Sequence, residues 1–177
     1  MKKNLKRGFT LIELLVVVAI IAILALVVLL ALNPVEMARR SRDSRRLSDL
    51  GTIRRAIDLS LADGQSLHAT VGYITLDPTV AVTSIDGAGL DISKYLSTLP
   101  LDPANNGTAV ATQTIINGAP CTAGTTNKNA MNYQFKSDTN VYVLRVQMES
   151  LENCGAVTND GNSDIYYELG TDPGLNL

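Results

Sequence analysis

The sequence predicts an α+β protein: a long N-terminal helix, membrane-spanning in its first half, packs its second half against a small antiparallel β-meander. Three observations carry this expectation. Nineteen consecutive apolar residues run from Leu14 to Leu32, and at about 1.5 Å per residue a helix of that length crosses the hydrocarbon layer of a bilayer. Beyond it, Leu47, Leu50, Ile53, Ile57 and Leu61 recur at helical spacing as a single stripe. Near the C-terminus, Met131, Tyr133 and Phe135 alternate with Asn132, Gln134 and Lys136, the period of a half-buried strand.

Charge divides as sharply as hydropathy. Residues 1–63 hold 11 Lys/Arg against 6 Asp/Glu and residues 64–177 hold 4 against 11, so the two parts carry +5 and −7 within a net charge of −2. The acidic, Thr/Asn/Gly-rich part is read as an exposed soluble head. It offers no extended basic surface to nucleic acid, and polyanion contact falls to the arginines near the membrane segment.

At the N-terminus, the apolar run is too long for the core of an ordinary secretory signal, and its end, Leu29-Leu30-Ala31-Leu32-Asn33, offers only Ala31 as a small residue. The basic leader instead runs into Lys6-Arg7-Gly8-Phe9-Thr10-Leu11-Ile12-Glu13. This segment closely resembles the prepilin motif of type IV pilins and type II secretion pseudopilins. The resemblance implies that a membrane aspartyl peptidase removes leader 1–8, cutting between Gly8 and Phe9, and that Phe9 is then N-methylated. It implies further that Glu13 pairs with the Phe9 ammonium of a neighbouring subunit. A carboxylate deep in hydrocarbon costs about 2.5–3.5 kcal/mol and needs such a partner. Locally, Thr10-x-x-Glu13 also reads as a capping box with Glu13 in the wet interface, and the two roles can coexist.

In this scheme residues 9–33 are the membrane and filament-core helix and 34–63 an amphipathic helix. Asn33-Pro34 predicts a break between them, with Asn33 capping and Pro34 at a first helical position. Lys/Arg flank the apolar run on both sides, so charge does not orient it; the resemblance and the cysteine pair place the leader in the cytoplasm and the head outside. Residues 39–46, Arg-Arg-Ser-Arg-Asp-Ser-Arg-Arg, hold no apolar side chain and are read as outside any core. The readings for this collar are membrane lipid phosphates, intersubunit salt bridges or DNA. Arg39/Asp43 and Arg45/Asp49 stand at i,i+4 spacing, and Asp63-Gly64 ends the helix.

Residues 64–130 are expected to connect helix to sheet, with a short helix at 92–99 after Asp91, closed by Leu99-Pro100-Leu101-Asp102-Pro103, and with a variable surface loop over 104–130. The Leu-Pro-x-Asp-Pro turn, with a later Tyr-x-Phe strand, resembles the connector of major pseudopilins. Asn106-Gly107-Thr108 is read as a turn in preference to a glycosylation acceptor. Residues 131–177 supply the sheet: a hairpin turning at Ser137–Asn140 into Tyr142, Leu144, Val146 and Met148, then a third strand with Ile165, Tyr167 and Leu169.

Cys121 and Cys154 are an even pair in an exported head and favour a disulfide over two buried thiols. Asp160, Asn162 and Asp164 alternate as in the opening of many calcium loops, but Ile165 stands where an EF-hand needs glycine and no Glu closes the loop. The readings are an Asx-rich turn or, by resemblance to major pseudopilins, a calcium site. His68, the single histidine, has no recognisable partner in sequence. No Walker loop, nucleophile elbow or zinc pattern occurs, so no catalysis is expected and no cofactor is required.

The resemblance implies a structural function: a homo-oligomeric helical filament assembled from the cytoplasmic membrane. Its implied partners are a prepilin peptidase and methylase, an assembly ATPase and a platform membrane protein. The alternatives are a pseudopilin of a type II secretion or DNA-uptake machine, and a minor tip subunit with an adhesive or DNA-binding role.

Overall fold

The structure, a computed structural model, describes residues 8–105, 112–117, 121–127, 131–172 and 174–177. The leader up to Arg7 and the Asn106-Gly107-Thr108 turn lie outside the described residues. The chain divides after Ala38 into two units.

The first unit holds helix α1, Leu11–Leu32, and the opening of helix α2, Pro34–Ala62. Thr10 caps α1, and the helix ends at Asn33, which takes the left-handed conformation at φ 41° and ψ 70°. The physical reason is Pro34: its ring disfavours the helical conformation in the residue before it, while its own missing N–H is harmless in a first turn. The Asn33 carbonyl then accepts from the N–H of Glu36 at 3.0 Å and of Met37 at 3.2 Å. The break expected at 33–34 is present.

In the second unit, the rest of α2 buries Asp43, Arg46, Leu50, Ile53, Ala56, Ile57 and Ser60. Positions 43, 46, 50, 53, 57 and 60 step by alternate threes and fours, so one face is continuously buried although its first two members are charged. This corrects two expectations. Residues 39–46 do enter the interior, through Asp43 and Arg46, and Leu47, placed on the stripe from sequence, is 38% exposed because the buried face passes through its neighbour Arg46. Gly64, at φ 94°, lets the chain turn off the helix end, and its N–H donates to the Leu61 carbonyl at 3.0 Å.

Among the described residues six strands follow: β1, Ile74–Leu76; β2, Thr112–Asn117; β3, Thr122–Asn127; β4, Tyr133–Ser137; β5, Tyr142–Gln147; and β6, Tyr166–Gly170, with the short helix α3, Cys154–Thr158, between β5 and β6. An antiparallel sheet in the order β1-β4-β5-β6 contains the three predicted strands and one unpredicted edge strand, β1. Phe135, Leu144 and Leu169 stand in one cross-strand row, and Phe135 and Leu144 join Leu50, Ile53 and Ile57 in the core. Two tyrosines of the sheet reach α2: Tyr133 donates to Asp49 at 2.7 Å and Tyr142 to Asp58. Burial first, and the facing carboxylates second, hold both phenols well above the ordinary tyrosine range.

Two further expectations are corrected. Residues 92–99 form a single turn on the Ile92 carbonyl, which accepts from Tyr95 and Leu96 N–H at 2.9 Å each, and not a helix. Pro100 pushes buried Leu99 toward extended backbone and so limits the helical turn. The 104–130 stretch is not a plain surface loop. It contains the β2–β3 ribbon, whose Ile116 is fully buried and donates its N–H to the Met148 carbonyl at 2.9 Å.

A disulfide joins Cys121 to Cys154, with Cα atoms 5.8 Å apart and a sequence separation of 33. It fastens the turn before β3 to the start of α3. Closing a loop of this size stabilises the fold by roughly 3–4 kcal/mol in the chain-entropy account.

Candidate functional site

The N-terminal segment is built from α1 and its cap. Leu11–Leu29 is long and apolar enough to cross a membrane. Its side chains, from Leu11 through Leu29, lie open rather than packed within the chain. At the start of the helix the Glu13 carboxylate accepts from the Thr10 N–H at 2.9 Å and from the Thr10 hydroxyl at 2.8 Å, and the Glu13 N–H donates back to that hydroxyl at 3.3 Å. The capping box is thus complete and satisfies two helix-terminal donors. Phe9, directly before it, is 84% exposed. The peptide between Gly8 and Phe9 therefore precedes the helix, one residue ahead of its cap, outside the rigid ladder that would shield it.

The largest charged constellation in the head is one that the sequence does not announce. Arg46 has no exposed side-chain surface. It donates to Asp102 twice, at 2.7 and 2.8 Å, to Asp43 at 2.7 Å, and pairs with Glu149 at 2.7 Å. Arg42 reaches the same Glu149 at 2.5 Å. Asp43 in turn accepts from the N–H groups of Glu149 and Ser150 at 3.0 and 2.9 Å and from the Asn153 amide at 2.7 Å. Burial disfavours the Arg46 charge, but Asp102 and Glu149 outweigh it and raise the guanidinium above its ordinary range. Burial likewise pushes Glu149 up, and the Arg42 hydrogen bond with the Arg46 charge overcomes it, leaving this carboxyl below the usual range. The Leu-Pro-x-Asp-Pro connector thereby acquires a physical role: it presents Asp102 to α2, and the Ala104 N–H holds that carboxylate at 2.8 Å.

Of the three oxygen ligands expected in the 160–164 turn, Asn162 and Asp164 are exposed and Asp160 is partly buried. The residue that joins Asp160 is Glu168, from β6. The Asp160 carboxylate accepts from the Glu168 N–H, while one Glu168 oxygen accepts from the N–H groups of Asn162 and Ser163 at 3.1 Å each. The second oxygen of each carboxylate is buried without a hydrogen-bond partner. Burial, with the Glu168 charge added, pushes Asp160 up to about 6, and burial raises Glu168 as well. Gly161 must be glycine here, since a Cβ would collide with the Glu168 carboxylate. Glu168 was missed because strand alternation marks it only as an outward residue of β6. Among the described residues no group of three or more His, Cys, Asp or Glu is arranged to hold a metal ion.

His68, expected to stand alone, has a partner: its Nδ1 lies 2.7 Å from a carboxylate oxygen of Asp86. The other Asp86 oxygen accepts from the N–H groups of Ala88, Gly89 and Leu90 at 2.9 Å each. Burial raises Asp86, but these hydrogen bonds outweigh it and hold its pKa low. This is a loop clamp, and the Ser137 hydroxyl adds to it by donating to the His68 carbonyl at 2.6 Å. Asp63 similarly binds Lys94 and Tyr95 at the rim of a cavity of about 170 Å³ beyond the end of α2.

Comparison with curated proteins and with solved structures gives no match. The prokaryotic N-terminal methylation motif matches residues 3–29, a span that contains the Gly8-Phe9 peptide, the Thr10–Glu13 box and most of α1. The chain therefore carries the prepilin-type signal of type IV pilins and pseudopilins, the mark of a substrate of prepilin peptidase.

Proposed function

We propose that this chain is a structural subunit, of the major pilin kind, of a type IV pilus-like filament. It inserts in the cytoplasmic membrane with its head outside, loses leader 1–8 to prepilin peptidase, is N-methylated at Phe9, and polymerises through α1. The observation that carries the reading is the methylation motif over residues 3–29 joined to a helix whose apolar side chains from Leu11 to Leu29 are exposed among the described residues. Such a surface is stable in lipid and, once drawn out of lipid, only against other copies of itself. Glu13 is the one charge within α1, and the methylated Phe9 ammonium of a neighbouring copy neutralises it and sets the axial register. An assembly ATPase and a polytopic platform protein supply the extraction. The function is structural and no catalysis is assigned. Glu13→Ala tests the pairing: the variant is expected to insert and be processed normally while its incorporation into filaments falls below detection. Filaments of ordinary yield from this variant would refute the role.

A second reading, a pseudopilin of a short secretion or DNA-uptake fibre, is favoured by the Asp160–Glu168 pair. Two buried carboxylate oxygens without partners would supply two of the roughly six to eight oxygens that calcium takes, and major pseudopilins hold calcium near their last strand. Asp160 and Glu168 would hold the ion, with Asn162 and Asp164 too exposed to close around it. Cell fractionation separates the readings: long surface fibres containing the chain support the pilus, and processed protein confined to the cell envelope supports the pseudopilin.

A further inference from the structure

From Ala104 to Asn127 the chain contains no Asp, Glu, Lys or Arg, although residues 64–177 together carry 11 acids against 4 bases. Within this neutral stretch β2 and β3 pair in continuous antiparallel register from Thr112↔Asn127 to Asn117↔Thr122. Among the described residues no third strand joins either side of the ribbon. The outer edge of β2 is bonded at its base, where the Ile116 N–H donates to the Met148 carbonyl, whereas among the described residues no strand bonds the outer edge of β3. Exposed edges are normally guarded by lysine, proline or a bulge. β3, Thr-Ala-Gly-Thr-Thr-Asn, has neither residue type, and its one-to-one register has no bulge.

A two-stranded ribbon is marginal by itself, but this one is fixed at its base. Ile115 and Ile116 are buried, Ile116 is bonded to the Met148 carbonyl, and Cys121 ties the turn before β3 to α3. Thr122 and Ala123 at the start of β3 remain exposed. The edge is thus held ready before any partner arrives, which lowers the ordering cost of adding a strand.

Building on the filament reading above, we propose that the free edge of β3 is a strand-addition surface that pairs with the β2–β3 ribbon of a second copy of this chain. Charge selects the occupant. Heads spanning Arg39–Leu177 each hold 11 Lys/Arg against 15 Asp/Glu, a net −4, and repel one another, and the neutral ribbon is where identical copies approach with no like charges opposed. Because a ribbon has two different edges, β3 of one copy on the Thr112–Thr114 part of β2 of the next, beyond the bonded Ile116, is a head-to-tail contact, which repeats along a polymer.

Hydrogen–deuterium exchange of the full-length protein, compared between detergent micelles and isolated filaments, reads the edge directly. The amides of Thr122–Asn127 that do not face β2 are expected to exchange about ten-fold or more slowly in filaments. Equal exchange in the two states overturns the proposal, and so does strong protection of those amides already in micelles, since the edge would then be covered within one chain. Ala123→Lys places a charge on the exposed edge and is expected to keep the micelle unfolding midpoint while cutting filament yield about ten-fold; an unchanged yield overturns it. Filaments without edge protection defeat this proposal alone, whereas failure of the wild-type chain to enter any fibre defeats the filament reading with it.

Discussion

Arg46 holds Asp102, Asp43 and Glu149 from a position with no exposed side-chain surface, so its removal leaves three carboxylates with Arg42 as the remaining cation shown among them. Breaking a buried network from one side costs about 3–5 kcal/mol. Arg46→Met is expected to lower stability by that amount in urea denaturation at pH 7. The loss shrinks on acidification, because protonated carboxyls no longer need the guanidinium. In the wild-type chain Glu149, held below its ordinary value, contributes stability that is present above about pH 4.5 and disappears as pH falls through its depressed pKa. Asp160 behaves oppositely. With its pKa raised to about 6, it favours the folded state below the ordinary aspartate value, and that contribution is lost as pH rises through 6. Asp160→Asn is therefore expected to raise the unfolding midpoint at pH 7 in divalent-free buffer and to leave it nearly unchanged at pH 4. If the calcium assignment is right, added calcium stabilises the wild-type protein and not this variant; equal responses would remove the assignment.

At the scale of elements, α2 shows which part of the fold composition can announce. Leu50, Ile53 and Ile57 were legible as a core stripe because like residues recur at helical spacing, and all three have no exposure. Arg46 was not, because its meaning depends on Asp102, 56 residues away, and Arg42 depends on Glu149, 107 residues away. A charged face reads as solvated until its distant partners are known. The same face decides a contrast between two leucine-sized sites: Ile53→Ala is expected to cost about 2–5 kcal/mol, whereas Leu47→Ala, at an exposed position, stays within about 0.5 kcal/mol. Denaturant unfolding of the two variants checks it, and comparable losses would show that the buried face runs through Leu47 after all. Strands β4, β5 and β6 were visible as alternation. The β2–β3 ribbon was not, since Thr, Asn, Gly and Ala on both faces leave no period to detect. The capping box at Thr10–Glu13 was readable from four residues, while the Asp160–Glu168 pair required β6 to be folded beside its preceding turn.

At the scale of the whole molecule, an apolar helix exposed among the described residues precedes a head stabilised by its own core, a disulfide and a buried ionic network. The head needs no membrane to explain its packing, whereas α1 is explained only by lipid or by other copies of itself. Cleavage at Gly8-Phe9 would remove four basic residues, Lys2, Lys3, Lys6 and Arg7, and create the ammonium proposed above as the partner of Glu13. The most direct test is the intact mass and N-terminal residue of the protein isolated from its native membranes. The account predicts a chain that begins at Phe9 and is one methyl group heavier than the unmodified cleaved polypeptide. A functioning fibre built from chains that still begin at Met1 would contradict it.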